Sequence, residues 1–218
     1  MSSTLTLERH MAKVFQTSKE ATEKTVIIQI AEEDLVTLKD NNYKLCFAKK
    51  VNDTYNVVWQ SLGDYLVTNS FSWVPMYELF ASNTFESEVT VEVTTNIVDI
   101  GLGEESTLNS AGLLSDPVTG GPSDSVTMIN EYGPIHPGMN QLSTSAEGTI
   151  STPIYVAEYQ AVLGSVELTP IEYVMVWFEQ NIETSTMFST ARSNSIEINM
   201  TGVDEQTRLY ENGTWSTP

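Results

Sequence analysis

The sequence predicts an all-β protein, an antiparallel β-sandwich of jelly-roll-like or similar form with about ten strands and a short N-terminal helix. Three observations carry that expectation. Apolar residues recur with a period of two, as in Val89-Thr90-Val91-Glu92-Val93-Thr94, where the valines fall on one face and polar side chains on the other. Turn-forming residues separate the apolar runs at short intervals. A clear amphipathic period of helical type occurs near the N-terminus, where Leu7, Met11, Val14 and Phe15 form one stripe.

In chain order, Glu8, Arg9, Lys13, Lys19 and Glu20 occupy the other faces of that first helix. Residues 1–24 therefore read as an amphipathic arm suited to assembly, and residues 25–218 as a single domain. Val26-Ile27-Ile28-Gln29-Ile30 opens the strands with a β-branched run. Residues 43–51 and 55–59 flank the polar turn Asn52-Asp53-Thr54 and predict a hairpin. Further strands are expected over 65–68, 71–74, 77–80, 88–100, 126–130, 150–156, 161–168, 195–200 and 208–210.

Two segments need separate argument. Thr169-Pro170-Ile171-Glu172 fits a capping box with proline at the first helical position, which favours a helix over 171–181. The run Val174-Met175-Val176-Trp177-Phe178 argues for a strand buried on both faces, and strand is the preferred reading. Residues 101–125 hold five glycines, Pro117, Pro122 and many serines and threonines, so they read as a long loop available for binding or assembly. Trp215, close to the last residue, is expected to dock in a groove of its own domain or of a neighbour.

Charge excludes two partner classes. The first fifty residues hold eight basic and seven acidic side chains, net +1, whereas the remaining 168 hold two arginines and twenty-two acids, net −20. Nucleic acid and anionic lipid bind through Lys and Arg, so such a surface repels both. At a hydrophobic content of 40% the chain is too apolar for disorder and has a core to bury. Residues 1–15 lack an apolar stretch of the roughly 7–15 residues a secretory signal needs, and no run approaches the ~20 of a membrane-spanning helix. The expected setting is therefore the cytoplasm, or release without a cleavable signal peptide.

The candidate chemistry is sparse. Cys46 is the one cysteine, in the alternating run Leu45-Cys46-Phe47, and reads as a buried inert thiol. His136 lies in the Pro/Gly-rich segment 131–138 with Glu131 close in sequence. No hydrolase, protease or phosphate-loop motif accompanies it, so a structural loop histidine is preferred over a hydrolytic centre. Asp99, Glu104, Glu105, Asp116 and Asp124 gather in or beside the glycine-rich segment, and Ca²⁺ is the one cofactor that they suggest. Their spacing matches no calcium loop, and no cofactor is expected.

Trp59, Tyr65, Trp73 and Tyr77 belong to an aromatic-rich stretch that suits either core packing or a platform for a sugar or a choline-like group. Taken together, these features point away from an enzyme and toward a binding or self-assembling protein acting through loops, aromatic patch or N-terminal arm. The expected partner is a second copy of the chain, followed by a glycan or a zwitterionic lipid. A lectin-like (carbohydrate-binding) or cytolysin-like module and a hydrolase centred on His136 are the alternatives.

Overall fold

The computed structural model of the chain describes residues 22–218. The stripe from Leu7 to Phe15 lies outside the described residues, and Lys24, the last residue of the expected arm, already begins a strand. The described residues are mostly β with one short helix. Its elements are β1 (Lys24–Ile30), α1 (Glu32–Asp40), β2 (Tyr43–Val51), β3 (Gln60–Leu62), β4 (Thr68–Ser82), β5 (Val98–Ile100), β6 (Glu104–Leu108) and β7 (Val118–Thr119). There follow β8 (Val126–Asn130), β9 (His136–Ser145), β10 (Gly148–Val156), β11 (Gly164–Leu168), β12 (Pro170–Gln180), β13 (Ile196–Asn199), β14 (Glu205–Glu211) and β15 (Thr214–Ser216).

Three sheets result. The largest runs β10-β9-β4-β1-β14-β15, with β5 also on β4; a second runs β11-β8-β6-β7; a third runs β13-β12-β2-β3. All three contribute to one apolar core, through Val26, Ile28 and Phe71 of the first, Leu108, Val126 and Met128 of the second, and Leu45, Phe47, Val174 and Val176 of the third. The sheets are not purely antiparallel as expected. β1 pairs parallel with β14, and β6 parallel with β8, because each pair is joined by a long excursion rather than a hairpin.

The central strands of the third sheet bury both faces. Leu45 and Phe47 enter the main core, while Cys46 and Ala48 enter a second cluster with Met175, Trp177, Ile182 and Phe188. The segment 171–181 is a strand, as its continuous apolar run requires. Its pairing with β2 slips between Ile171 and Val174, and this bulge carries Glu172.

Several expected boundaries are corrected. The second arm of the predicted hairpin is not 55–59 but β3, paired with Leu45 to Phe47, because 56–58 bond instead to 186–188. The strand expected over 88–100 is regular only in β5; Val91 and Val93 face inward as their alternation predicts, Val89 is exposed instead, and 88–95 bonds to scattered carbonyls of 81, 185 and 187. The predicted loop 101–125 is structured and contains β6 and β7, folded back where Gly120 and Gly121 both donate to the Gly103 carbonyl. Its strand β6, Glu-Glu-Ser-Thr-Leu, buries only Ser106 and Leu108, so its polarity concealed it.

Candidate functional site

At one end of the second sheet lie three loops, 109–114, 131–135 and 157–163, the last two tied together by Asn130, the last residue of β8. Its side-chain amide donates to the carbonyls of Gly133 (2.7 Å), Ala161 (3.4 Å) and Val162 (3.0 Å), and its Oδ1 accepts from the backbone N–H of Tyr132 (3.0 Å). The Glu131 N–H bonds to the Leu108 carbonyl, Ile135 and Ala161 form a bridge, and Tyr132 lies against Gly112. With the backbone thus satisfied, the loops hold their shape without burying their tips.

Those tips are apolar. Leu113 (54% exposed), Tyr132 (45%), Tyr159 (82%), Val162 (69%) and Leu163 (67%) all face solvent. Each tyrosine follows an exposed glutamate, in Glu131-Tyr132 and Glu158-Tyr159, and no lysine or arginine occurs between Lys50 and Arg192. These five exposed apolar side chains all lie on loops at the same end of the second sheet, whereas exposed apolar residues more often stand singly. The sequence pattern did not reveal the grouping, since Val162 and Leu163 read as the start of a strand that begins at Gly164.

The residues singled out from the sequence lie elsewhere, Glu131 excepted. Trp59, Tyr65, Trp73 and Tyr77 are 0–4% exposed, so these rings pack the core and present no open platform to a ligand. Trp59 meets Phe71 edge-on at 4.9 Å and Trp73 at 5.6 Å, which exploits the ring quadrupoles. Trp215 docks on its own domain, stacked on Phe178 at 5.6 Å, with its indole N–H donated to the Asn194 carbonyl.

His136 is the first residue of β9 rather than a loop residue. It is 7% exposed, and its Nδ1 lies 2.8 Å from the Ala157 carbonyl, so it clamps the turn after β10 to the strand. Glu131 sits in the exposed 131–135 loop beside Tyr132. Asp99 belongs to β5, Glu104 and Glu105 to β6, and Asp116 and Asp124 to the turns around β7. Among the described residues no three acids, histidines or cysteines come close enough together to hold a metal ion. Glu104 instead bonds to the Gly101 N–H at 2.7 Å, closing the turn that starts β6.

Two buried ionisable groups stand out. Lys49 shares the inward face of β2 with Leu45 and Phe47 and is fully buried. Its ammonium lies 3.0 Å from Glu172 Oε2 and 5.0 Å from the centre of the Trp73 ring, while the Trp73 indole N–H reaches the same carboxylate at 3.4 Å. Burial pushes the lysine down to about 8, with Glu172 opposing that fall. Cys46 is enclosed on the other face of β2; burial first, then the Glu179 charge, raises its thiol far above the usual range and leaves it unreactive.

Among the described residues no helix is long and apolar enough to cross a membrane. The comparisons add no relative: no family model, no curated protein and no solved structure matches this chain.

Proposed function

We propose that the protein is a non-catalytic binding module, a sandwich-like scaffold that docks through loops 109–114, 131–135 and 157–163 onto a zwitterionic membrane surface. The observation that carries this reading is the cluster of Leu113, Tyr132, Tyr159, Val162 and Leu163, exposed together and free of cations. Five tips fall well short of the roughly 20–30 residues a side of a standard protein interface. They suit shallow insertion at a lipid boundary, where aliphatic side chains reach the acyl region and tyrosine rings rest among head groups.

Charge selects the lipid. Glu131 and Glu158 beside the two tyrosines repel phosphatidylserine, but a carboxylate next to a ring attracts the quaternary ammonium of a choline head group. The test is co-sedimentation with vesicles of phosphatidylcholine, alone and with phosphatidylserine added. Binding to the first, weakening as serine lipid is added, is the expected result. No binding to phosphatidylcholine, or self-association of the protein through the same loops in its absence, refutes the reading.

A further inference from the structure

The place where residues 1–21 join the body is fixed by strand pairing. Strand β9 lines one edge of β4, so β1 and β5 share the other, with Lys24 opposite Trp73 and Ile100 opposite Tyr77. Both run antiparallel to β4, so the end of β5 points toward the start of β1. The rows of Trp73 and Tyr77 are four residues apart along β4, about 13 Å at the usual rise of a strand. The Ser72 hydroxyl donates to Glu23 Oε1 at 3.0 Å and anchors the entry point. The first twenty-one residues therefore meet the body beside the turn 101–103 that follows β5.

That neighbourhood is acidic and partly apolar. Asp99 lies in β5, Glu104 and Glu105 in β6, and Asp116 and Asp124 in the turns around β7. No lysine or arginine occurs in the sequence from 51 to 191 to offset them, and Lys24 at the entry is taken by Asp204 at 3.1 Å. Leu102 at the tip of the turn is 42% exposed, and Val118 of β7, directly opposite Glu105 in the sheet, is 58% exposed. Gly120 passes against the Glu105 carboxylate, and Ser123 lies against Gly103, so the segment 116–124 folds onto the turn. Strand β7 is two residues long and ends its sheet, and no described strand pairs beyond it.

Residues 1–21 supply the complement. Arg9, Lys13 and Lys19 stand against Glu8 and Glu20, net +1, beside the apolar stripe of Leu7, Met11, Val14 and Phe15. Seven residues lead from Phe15 to Thr22, so Phe15 stays within about 25 Å of the entry in any conformation, and the turn is in reach. A short tether sets an effective concentration on the order of millimolar, which favours the chain's own body over a neighbour's. We infer that residues 1–21 dock on the face formed by turn 101–103 and β7 of the same chain. Their cations meet Glu105, Asp116 and Asp124, and their apolar side chains cover Leu102 and Val118. This face lies at the start of β6, whereas the loop end lies past its last residue, Leu108, so the inference does not depend on the membrane reading.

The test is paramagnetic NMR on the full chain. Cys46 is buried, so a nitroxide goes to an introduced cysteine at one of two exposed positions flanking the entry. Ser123→Cys lies beside the turn; Thr201→Cys lies on the other side, two residues from Val203, whose carbonyl accepts from Lys24. The label at 123 should broaden the amide signals of residues 7–15 more strongly than the label at 201. Mixing labelled protein with isotope-enriched, unlabelled protein separates contacts within a molecule from contacts between molecules. Lys13→Glu with Lys19→Glu leaves the body unaltered and should abolish the difference between the two labels. Adding Asp116→Lys and Asp124→Lys to that variant should restore it, and 1 M salt, with its screening length of about 3 Å, should weaken it in the wild type. Equal broadening from both labels, broadening only between molecules, or a difference that survives the charge reversal overturns the inference.

Discussion

Replacing Lys49 with methionine isolates the effect of burying one ammonium on stability. In the native state the Lys49 ammonium gives up its proton near pH 8, whereas in the unfolded chain a lysine does so near 10.5. Between those values the unfolded chain binds one more proton, so this group makes stability rise with pH by about 1.4 kcal/mol per pH unit. Below pH 8 the penalty is present in full, about 3 kcal/mol over the whole interval.

Cys46 acts in the opposite sense. Its unfolded thiol ionises near 9.0 while the native thiol stays protonated, so above pH 9 it makes stability fall and masks the lysine in the wild type. The difference between wild type and Lys49→Met cancels the thiol. Methionine fills a similar volume, and Glu172 keeps the Trp73 indole as donor and its exposure to water. Urea unfolding followed by fluorescence at pH 7, 8, 9 and 10, at constant ionic strength, gives that difference. It should be flat from 7 to 8 and then rise in favour of wild type by about 1.4 kcal/mol per unit. A difference independent of pH across 7–10 refutes the claim that burial makes Lys49 give up its proton near pH 8.

Three other predictions follow from packing. A Cβ at Gly138 would sit 2.3 Å from the Phe80 ring in the core, so Gly138→Ala should cost about 1–3 kcal/mol or more and lower the Tm in a thermal melt. Cys46 should resist a thiol reagent in the native protein and react at once in denaturant; fast native labelling would show that the cluster around Trp177 opens readily. Asp34 accepts the backbone N–H groups of Asn212 (2.7 Å) and Gly213 (3.2 Å), so Asp34→Ala should loosen the β14–β15 turn, cost about 1–3 kcal/mol and shift Trp215 emission toward that of an exposed indole.

Much of the β framework was legible because alternation and β-branched runs report burial directly. β1, β8 and β10 match their predicted runs closely, and β12 overrode its own capping box because five consecutive apolar residues need cover on both faces. What was lost had specific causes. β9 opens with His-Pro-Gly, a turn signature, yet Gly138 is there because the Phe80 ring leaves no room for a side chain. α1 was missed because it is nine residues long and Ala31 gives it no side-chain cap; only Glu32, Glu33 and Asp34 at its start and Lys39 at its end, matched to the helix dipole, hinted at it. β15 is three residues held by the Asn-Gly turn.

The sites were less legible than the fold. Aromatic density in 59–85 marked the core, since large rings are what a three-sheet interior needs. The apolar tips come from three loops far apart in sequence, two of which meet through Asn130. Periodicity carries no information about such distant meetings. Lys49 was the exception available to inspection, an inward lysine on the same face as Leu45 and Phe47.

The loop end is tested most directly by placing a reporter on it. Tyr159 is 82% exposed, so Tyr159→Trp should leave the fold unchanged and add an indole in water. With phosphatidylcholine vesicles its emission should shift to the blue and be quenched by lipids brominated in the upper acyl chain. Adding Val162→Glu and Leu163→Glu removes side chains worth about 2–4 kcal/mol at their present exposure and should lower partitioning roughly 30- to 700-fold. Emission that stays that of a water-exposed indole at saturating lipid, or quenching untouched by the two glutamates, contradicts the account.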